Sequence, residues 1–264
     1  MGIFEKYRLF RKYADPNRYF IMMLFKSFWI NLIVKTKIIL WHDQIKWIVS
    51  RDFQSTKNPY YYGISDKEEF QLIDLVCKPG DVFFDIGANI GLYSIYFSKI
   101  KKLQCYQFEP NESARAINLK IQVLNAITYL NTLLPYALSN KNGQSYFTNN
   151  QDINNHLSDQ VTGLKVDVKR LDDLNDLPEA HIIKIDTELE DYKVLLGAQR
   201  FLQSQCLKAI ILEYNTSELQ KVINLLSNYS FECIRMNKYK IIPNEDFHPS
   251  KAGNLLFIKR NLKL

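Results

Sequence analysis

Residues 82–91 read VFFDIGANIG. An apolar run ends at a carboxylate, Asp85, and the chain then turns through Gly87 and Gly91. A strand that closes on an acid and a glycine-bearing turn builds a ligand crevice at the carboxyl edge of an α/β sheet. A loop shaped for a pyrophosphate reads G-x-G-x-x-G. This one is G-A-N-I-G, and Asp85 would repel a phosphate. The loop predicts a nucleotide-like ligand that brings positive charge to the strand tip.

Strands and helices alternate outward from this stretch. Pro79-Gly80 launches a strand over 82–86, and a helix follows the glycine turn over 92–99. The second strand, 104–108, closes on Glu109-Pro110. A helix over 111–125 opens with Asn111 as its cap and Glu112 in its first turn. Residues 129–133 and 136–138 read as a third strand and a contact loop, 140–143 as a turn, and 144–148 and 165–168 as short strands. The polar, aperiodic stretch 149–162 between them is expected to be a mobile substrate loop. A buried strand over 181–186 ends in acids, a helix covers 192–202, and a strand covers 209–214. A helix over 217–228 and strands over 231–236 and 255–259 complete the pattern. Upstream, Ser65-Asp66-Lys67-Glu68 fits a capping box that starts a helix running to about Val76. The alternation predicts an α/β doubly wound, Rossmann-like sheet, mostly parallel with an antiparallel last strand. Residues 1–55 show no strand alternation and read as helical. The chain divides into a basic, apolar helical extension at 1–57, ending near the turn-like NPYYYG of 58–63, and a domain at 58–264.

At 264 residues, 47% hydrophobic and 23% charged, the chain can bury a full core and is not disordered. Its net charge of +6 is uneven. Residues 1–60 hold eleven Lys/Arg against four Asp/Glu, a balance of +7, so the rest sums to −1. The positive part is also the most apolar part, which points to an anionic membrane surface or an acidic partner and away from a nucleic-acid reading face. Residues 20–40 read FIMMLFKSFWINLIVKTKIIL, and their longest uncharged run is 27–34. A spanning helix needs ~20 mostly apolar residues. No small-residue cleavage site follows, so a secretory signal is not expected. Two readings of the segment stand: a helix packed on the domain or in a homo-oligomer interface, which composition favours, and an in-plane helix in peripheral contact with a membrane. The four cysteines form no C-x-x-C pair and read as buried, reduced thiols of a cytoplasmic protein, with the inner membrane surface as the alternative location. The four histidines are widely spaced, and no metal site is expected.

S-adenosylmethionine has no phosphate and carries an ammonium and a sulfonium, so it suits Asp85. The loop residues Gly87, Ala88, Asn89 and Gly91 would lie along its methionine part, the glycines giving close approach and Asn89 tolerating left-handed backbone. Glu109, 24 residues after Asp85, ends the next strand. A carboxylate there offers two oxygens to the two ribose hydroxyls. Ala137 and Leu138, at the third strand end, are placed to line the adenine. A third cluster is KIDTELED, 184–191. Asp186 stands where strand meets loop and is the candidate base for a hydroxyl proton, with Glu188 as the second candidate. Glu190 and Asp191 read as complements to the following helix N-terminus.

Five segments together resemble the FkbM family of S-adenosylmethionine-dependent methyltransferases. They are DVFFDIGANIGLYS (81–94), YQFEPN (106–111), VKRLDDL (168–174), IIKIDTELEDYKVLLGA (182–198) and IILEYN (210–215). The resemblance covers about residues 60–260. It implies a class I methyltransferase sheet, the loop of Asp85, Gly87, Asn89 and Gly91 as the donor site, Glu109 on the ribose, and Asp186 with Glu188 as the family's acidic pair. The chain departs from the family at Leu189, where glycine is usual, and at Asp191, where glutamate is usual. Leucine removes access to positive φ and adds bulk beside the acids. The family implies O-methylation of a sugar hydroxyl on a polysaccharide, glycolipid or related natural product, with a small-molecule or glycan acceptor. Leu189 motivates a rival: a non-catalytic, cofactor-binding scaffold or tether of the same fold. A nucleic-acid methyltransferase would carry N-P-P-[YF]; here 58–60 read N-P-Y, upstream of the loop, so no nucleic-acid partner is expected.

Overall fold

Every residue of 82–86 is buried, because successive side chains point to opposite faces of a sheet that is covered on both sides. Phe84 packs with Phe108, Ile185, Phe201 and Leu212 on one face. Phe83 packs with Phe97, Cys105 and Ile211 on the other. The computed structural model behind this picture describes residues 7, 20–32, 35–42, 44–147, 157–158, 163–187, 190–214, 218–237, 239–243 and 253–262.

The first long described element is helix α1 (Phe20–Leu32), followed by a hairpin of β1 (Thr36–Trp41) and β2 (Ile45–Ser50). Short helix α2 (Asn58–Tyr62) and helix α3 (Lys67–Val76) lead into β3 (Val82–Ile86), α4 (Leu92–Lys101), β4 (Gln104–Phe108), α5 (Glu112–Leu124) and β5 (Asn131–Leu134). A side sheet comes next, built from β6 (Tyr136–Leu138), β7 (Gly143–Phe147), β8 (Leu157–Ser158) and β9 (Leu164–Lys169). The chain then returns through β10 (Ile182–Ile185), α6 (Asp191–Leu196), α7 (Gln199–Gln203), β11 (Ala209–Tyr214), α8 (Leu219–Asn228), β12 (Phe231–Asn237), β13 (Lys240–Pro243) and β14 (Gly253–Lys259).

The main sheet runs β13-β12-β14-β11-β10-β3-β4-β5. It is parallel from β11 to β5, and the last strand, β14, is antiparallel to both β11 and β12. From β3 the chain builds outward through β4 and β5, and later outward on the other side through β10 and β11. The strand order therefore reverses between β3 and β10, which is where an open α/β sheet leaves a crevice at its carboxyl ends.

Five local expectations change, the first being that Asn58–Tyr62, read as turn-like, forms helix α2 with Pro59 in its first turn and Gly63 after its end. Residues 36–41 and 45–50 pair as a β-hairpin, not helix: Ile45, Trp47 and Val49 turn inward while Lys46 turns out. β-Branched and aromatic residues fit this half-buried surface. Trp41 and Trp47 pack with Ile95, Ala114 and Ile121, and Asn125 clamps the Lys46 backbone with two 2.8 Å hydrogen bonds. The capping box at 65–68 does not close. Asp66 is the cap residue of α3, but its side chain takes hydrogen bonds from Ser65 and Tyr93, and Glu68 takes the Met236 N–H. Residues 136–138 belong to the side sheet, with β6 parallel to β9. The helix expected over 192–202 is two, α6 and α7. The break falls at Gly197, where an added Cβ would come within 2.2 Å of the Ser139 carbonyl oxygen. Of the loop at 149–162, only Leu157–Ser158 lie within the described residues. Cys77 and Cys105 are buried thiols, whereas Cys206 is exposed. Among the described residues no helix is long and apolar enough to cross a membrane.

Candidate active site

Register brings the site together. Ile185 pairs with Leu212 and with Ile86, and Ile86 pairs with Phe108. One residue further, Glu213, Asp186, Gly87 and Glu109 stand side by side across the carboxyl ends of the four strands. Three carboxyl groups thus flank a glycine at the point where strand order reverses. Two residues back, Lys184, Asp85 and Gln107 stand in register across β10, β3 and β4.

Asp85 is 1% exposed. Its Oδ2 accepts from the Ser94 hydroxyl at 2.6 Å and the Ser94 N–H at 3.3 Å, which ties β3 to the first turn of α4. The glycine loop passes over it with Gly87, Asn89 and Gly91 all at positive φ. The Gly87 and Ala88 N–H groups both donate to the Phe108 carbonyl. Glu109 clamps the loop from β4: Oε2 accepts from the Asn89 N–H at 2.8 Å and Oε1 from the Asn111 N–H at 2.7 Å. Each oxygen keeps a second acceptor site for a hydroxyl. Asn111 caps α5 as expected, taking the N–H groups of Ser113 and Ala114.

Lys184 is buried between the acids. Its Nζ donates to Asp186 Oδ2 at 2.7 Å and lies 4.7 Å from the Tyr93 ring centroid. Burial works against its charge, yet Asp186 and Asp85 hold its pKa above the ordinary lysine value. Burial raises Asp85, and although Lys184 and Ser94 oppose this, the group stays above its ordinary value. Desolvation also pushes Asp186 up, but Lys184 and a hydrogen bond with Glu213 outweigh it and bring the group below the usual range. The Asp186 side chain is nevertheless 41% exposed. That hydrogen bond joins the Asp186 and Glu213 side chains across the neighbouring strands β10 and β11.

The other predicted residues fall as follows. Ala137 packs with Val166 and Val168 in the side sheet, and Leu138 packs into the main core beside Phe108 and Val194. Glu188 and Leu189 lie outside the described residues. Asp191 takes the Thr187 N–H and hydroxyl at 3.0 and 3.1 Å, so it ties Thr187 to the start of α6. Glu190 bonds Ser139 and Lys193. Sequence reasoning gave Lys184 and Glu213 no role. Both sit in quoted segments, and an acid interrupting the apolar run IILEY beside a strand that ends in Asp186 was the available clue. It also passed over Glu69, which accepts from Asn254 at 2.7 Å, while Asn254 pairs in register with Glu213. Among the described residues no group of three or more His, Cys, Asp or Glu is arranged to hold a metal ion.

Three acids here are raised by burial: Glu69 and Glu109 to about 7, and Asp191 to about 6. In the unfolded chain the two glutamates ionise near 4.5. Between 4.5 and about 7 the folded state therefore binds more protons, and stability falls as pH rises. Asp81 works in the opposite sense. Burial raises it, but Lys208, the Lys78 N–H and His181 bring it below its ordinary value, so its stabilisation is lost only in strong acid. The melting temperature should peak on the acid side of neutrality and drop through this window. A steady climb to neutral pH would mean that Glu69 and Glu109 are ionised in the folded protein.

The strand order, the acid-ended β3 and the glycine loop define a Rossmann-like, class I methyltransferase sheet. The model of the methyltransferase FkbM domain matches residues 85–233. That is more than half of the sequence, and the chain belongs to the FkbM methyltransferase family. No curated protein sequence matches it. Similar solved structures include the precorrin-6y C5,15-methyltransferase of Geobacter metallireducens GS-15, at 15% identity and TM-score 0.44, covering 74% of this chain and 85% of that one. TYW2 of M. jannaschii in complex with AdoMet gives 13% identity and TM-score 0.45, covering 85% of each chain. TYW2 of P. horikoshii in complex with MeSAdo gives 13% and 0.45, covering 86% and 72%. With the family comes the cofactor, S-adenosylmethionine, and the site chemistry fits it. The strand tips present Glu109, Asp186 and Glu213, and two cations beside them are engaged, Lys184 by Asp186 and Arg115 by the Glu109 carbonyl. Such a set suits ammonium, sulfonium and hydroxyl groups and opposes a phosphate.

Proposed function

We propose that this S-adenosylmethionine-dependent methyltransferase is O-directed and methylates a sugar hydroxyl of a polysaccharide, glycolipid or related natural product. The observation that carries the reading is Asp186: an ionised, solvent-open carboxylate at the strand tip, against the glycine loop. An added Cβ on Gly87 would lie 1.9 Å from the Asp186 carbonyl oxygen, so the loop packs directly on the backbone that carries the acid. Bound S-adenosylmethionine supplies a methyl group on a sulfonium, open to in-line displacement. Glu109 would take the ribose hydroxyls, and the backbone from Gly87 to Gly91 would hold the methionine part. Asp85 acts from below, pinning the loop through Ser94 and adding negative charge to the crevice.

Asp186 would accept the acceptor's hydroxyl proton. Its pKa, brought below the usual range by Lys184 and Glu213, favours the ionised form and makes it a weak base. A weak base suffices here, because an alcohol oxygen that has gained a methyl group is far more acidic than a carboxylic acid. Lys184 fixes the carboxylate, and Glu213 bonds it from the neighbouring strand. Glu188 stands as the second candidate on the sequence alone. Asp186→Asn keeps the Lys184 hydrogen bond and removes the base. Turnover of labelled methyl into glycan fractions should fall by ~10²-fold or more, with S-adenosylhomocysteine binding by calorimetry little changed. Equal losses in both would remove Asp186 from the chemistry and return it to the donor site.

A further inference from the structure

Helix α1 is apolar on two opposite sides. Met23, Ser27 and Ile30 are buried, Met23 against Tyr61 and Ile30 in the cluster of Trp41 and Trp47. Ile21, Phe25 and Phe28 are 68%, 68% and 58% exposed. At about 3.6 residues per turn the two triplets point in opposite directions. Apolar side chains on two faces of a helix call for cover on both, and among the described residues this helix packs on an interior through one of them only. The hairpin that follows is similar. Ile38 and Leu40 are exposed on its outer face, because Trp41, Ile45 and Trp47 occupy the inner one.

The charge carried by this part of the sequence selects its occupant. Residues 1–60 carry a balance of +7, and the exposed Lys35 and Lys37 follow directly after α1. A second copy docked through the same face would bring that charge against itself, which costs affinity. An anionic bilayer surface accepts both the apolar side chains and the cations. We propose that the outer face of α1 docks the protein in the plane of an anionic membrane surface.

The docking helix is connected to the site. Lys26 lies over the Tyr60 ring at 4.5 Å, so α1 rests on α2. Just before α2, Ser55 accepts from the Asn89 side chain of the glycine loop at 3.2 Å. A docked chain would hold its crevice near the lipid surface, where a lipid-linked acceptor would be presented. That last step rests on the proposed function; the docking does not.

Sedimentation of the full chain with lipid vesicles tests it. Binding is expected to phosphatidylglycerol–phosphatidylcholine vesicles, weaker to phosphatidylcholine alone, and reversed by high salt. Phe25→Ser with Phe28→Ser should lower binding to the anionic vesicles by tenfold or more while leaving the melting temperature unchanged, since both side chains are mostly exposed. The proposal is overturned if the wild-type chain ignores anionic vesicles, or if the double variant binds them equally well. It is equally overturned if the only effect of the variant, by size-exclusion chromatography, is to turn an oligomer into monomers. The lipid and salt dependence of the wild-type chain decides the matter even if the variant proves unstable. Loss of methyl transfer with vesicle binding intact would count against the proposed function alone.

Discussion

Gly87→Ala should cost the protein about 4 kcal/mol or more of stability and lower its melting temperature by roughly 10 °C. Two effects add. Gly87 sits at φ +78°, where any residue with a Cβ is strained by ~1–2 kcal/mol. The new methyl would also lie 1.9 Å from the Asp186 carbonyl oxygen and 2.8 Å from its carbonyl carbon. Both atoms are backbone, so no side chain can swing away. Relief requires β3 and β10 to part at their tips, which breaks the hydrogen bond from the Asp186 N–H to the Ile86 carbonyl and moves the candidate base off the loop. Donor binding should be lost with the stability. Gly80 separates the two effects. It lies at φ +88° with nothing within 4 Å of an added Cβ, so Gly80→Ala should show the backbone strain alone. Thermal denaturation of the two variants side by side decides the point. If Gly87→Ala costs no more than Gly80→Ala, the close approach to Asp186 is not a feature of the folded protein.

The parts of this site that were legible in the sequence are those made by short-range pattern. An apolar run before an acid and two glycines can only end a buried strand, so β3 and its loop follow from residues 82–91. Asn111 before an amphipathic stretch fixes the start of α5 in the same way. What escaped depends on pairing between distant segments. Nothing local in IILEY says that Glu213 will lie beside Asp186; the register of β10 and β11 does. Lys184 likewise looks like a surface lysine in a strand until β3 places Asp85 opposite it. The hairpin at 36–50 was obscured because its alternation is broken by exposed Ile38 and Leu40, apolar where an isolated hairpin should be polar. The capping box failed for a tertiary reason: Tyr93 claims Asp66, and the β12 backbone claims Glu68. Local propensity yielded in each case to a partner far away in the chain.

Lys184→Met should be the most pH-sensitive lesion in the molecule. The lysine is buried, and its ammonium is the counter-charge for both Asp85 and Asp186. Removing one partner of a buried ion pair costs about 3–5 kcal/mol, because the other charge stays behind without compensation. The two acids will not suffer equally. Asp186 is partly open and retains its hydrogen bond with Glu213, whereas Asp85 is 1% exposed. Its pKa, already raised by burial against the pull of Lys184, should rise further in the variant. A group raised in the folded state costs stability once the unfolded chain has ionised, so the penalty should be full at neutral and alkaline pH. It should shrink as acidification puts a proton on Asp85 in the folded protein. Chemical denaturation of the wild-type and variant chains across this range reads the trend directly. The second arm is Asp85→Asn on the Lys184→Met background, which removes the stranded charge and keeps an acceptor for Ser94. The double variant should recover stability relative to Lys184→Met alone, a coupling of ~1–3 kcal/mol in a double-mutant cycle. No recovery, or a penalty independent of pH, would show that Lys184 contributes by packing over Tyr93 and not by holding the two carboxylates ionised.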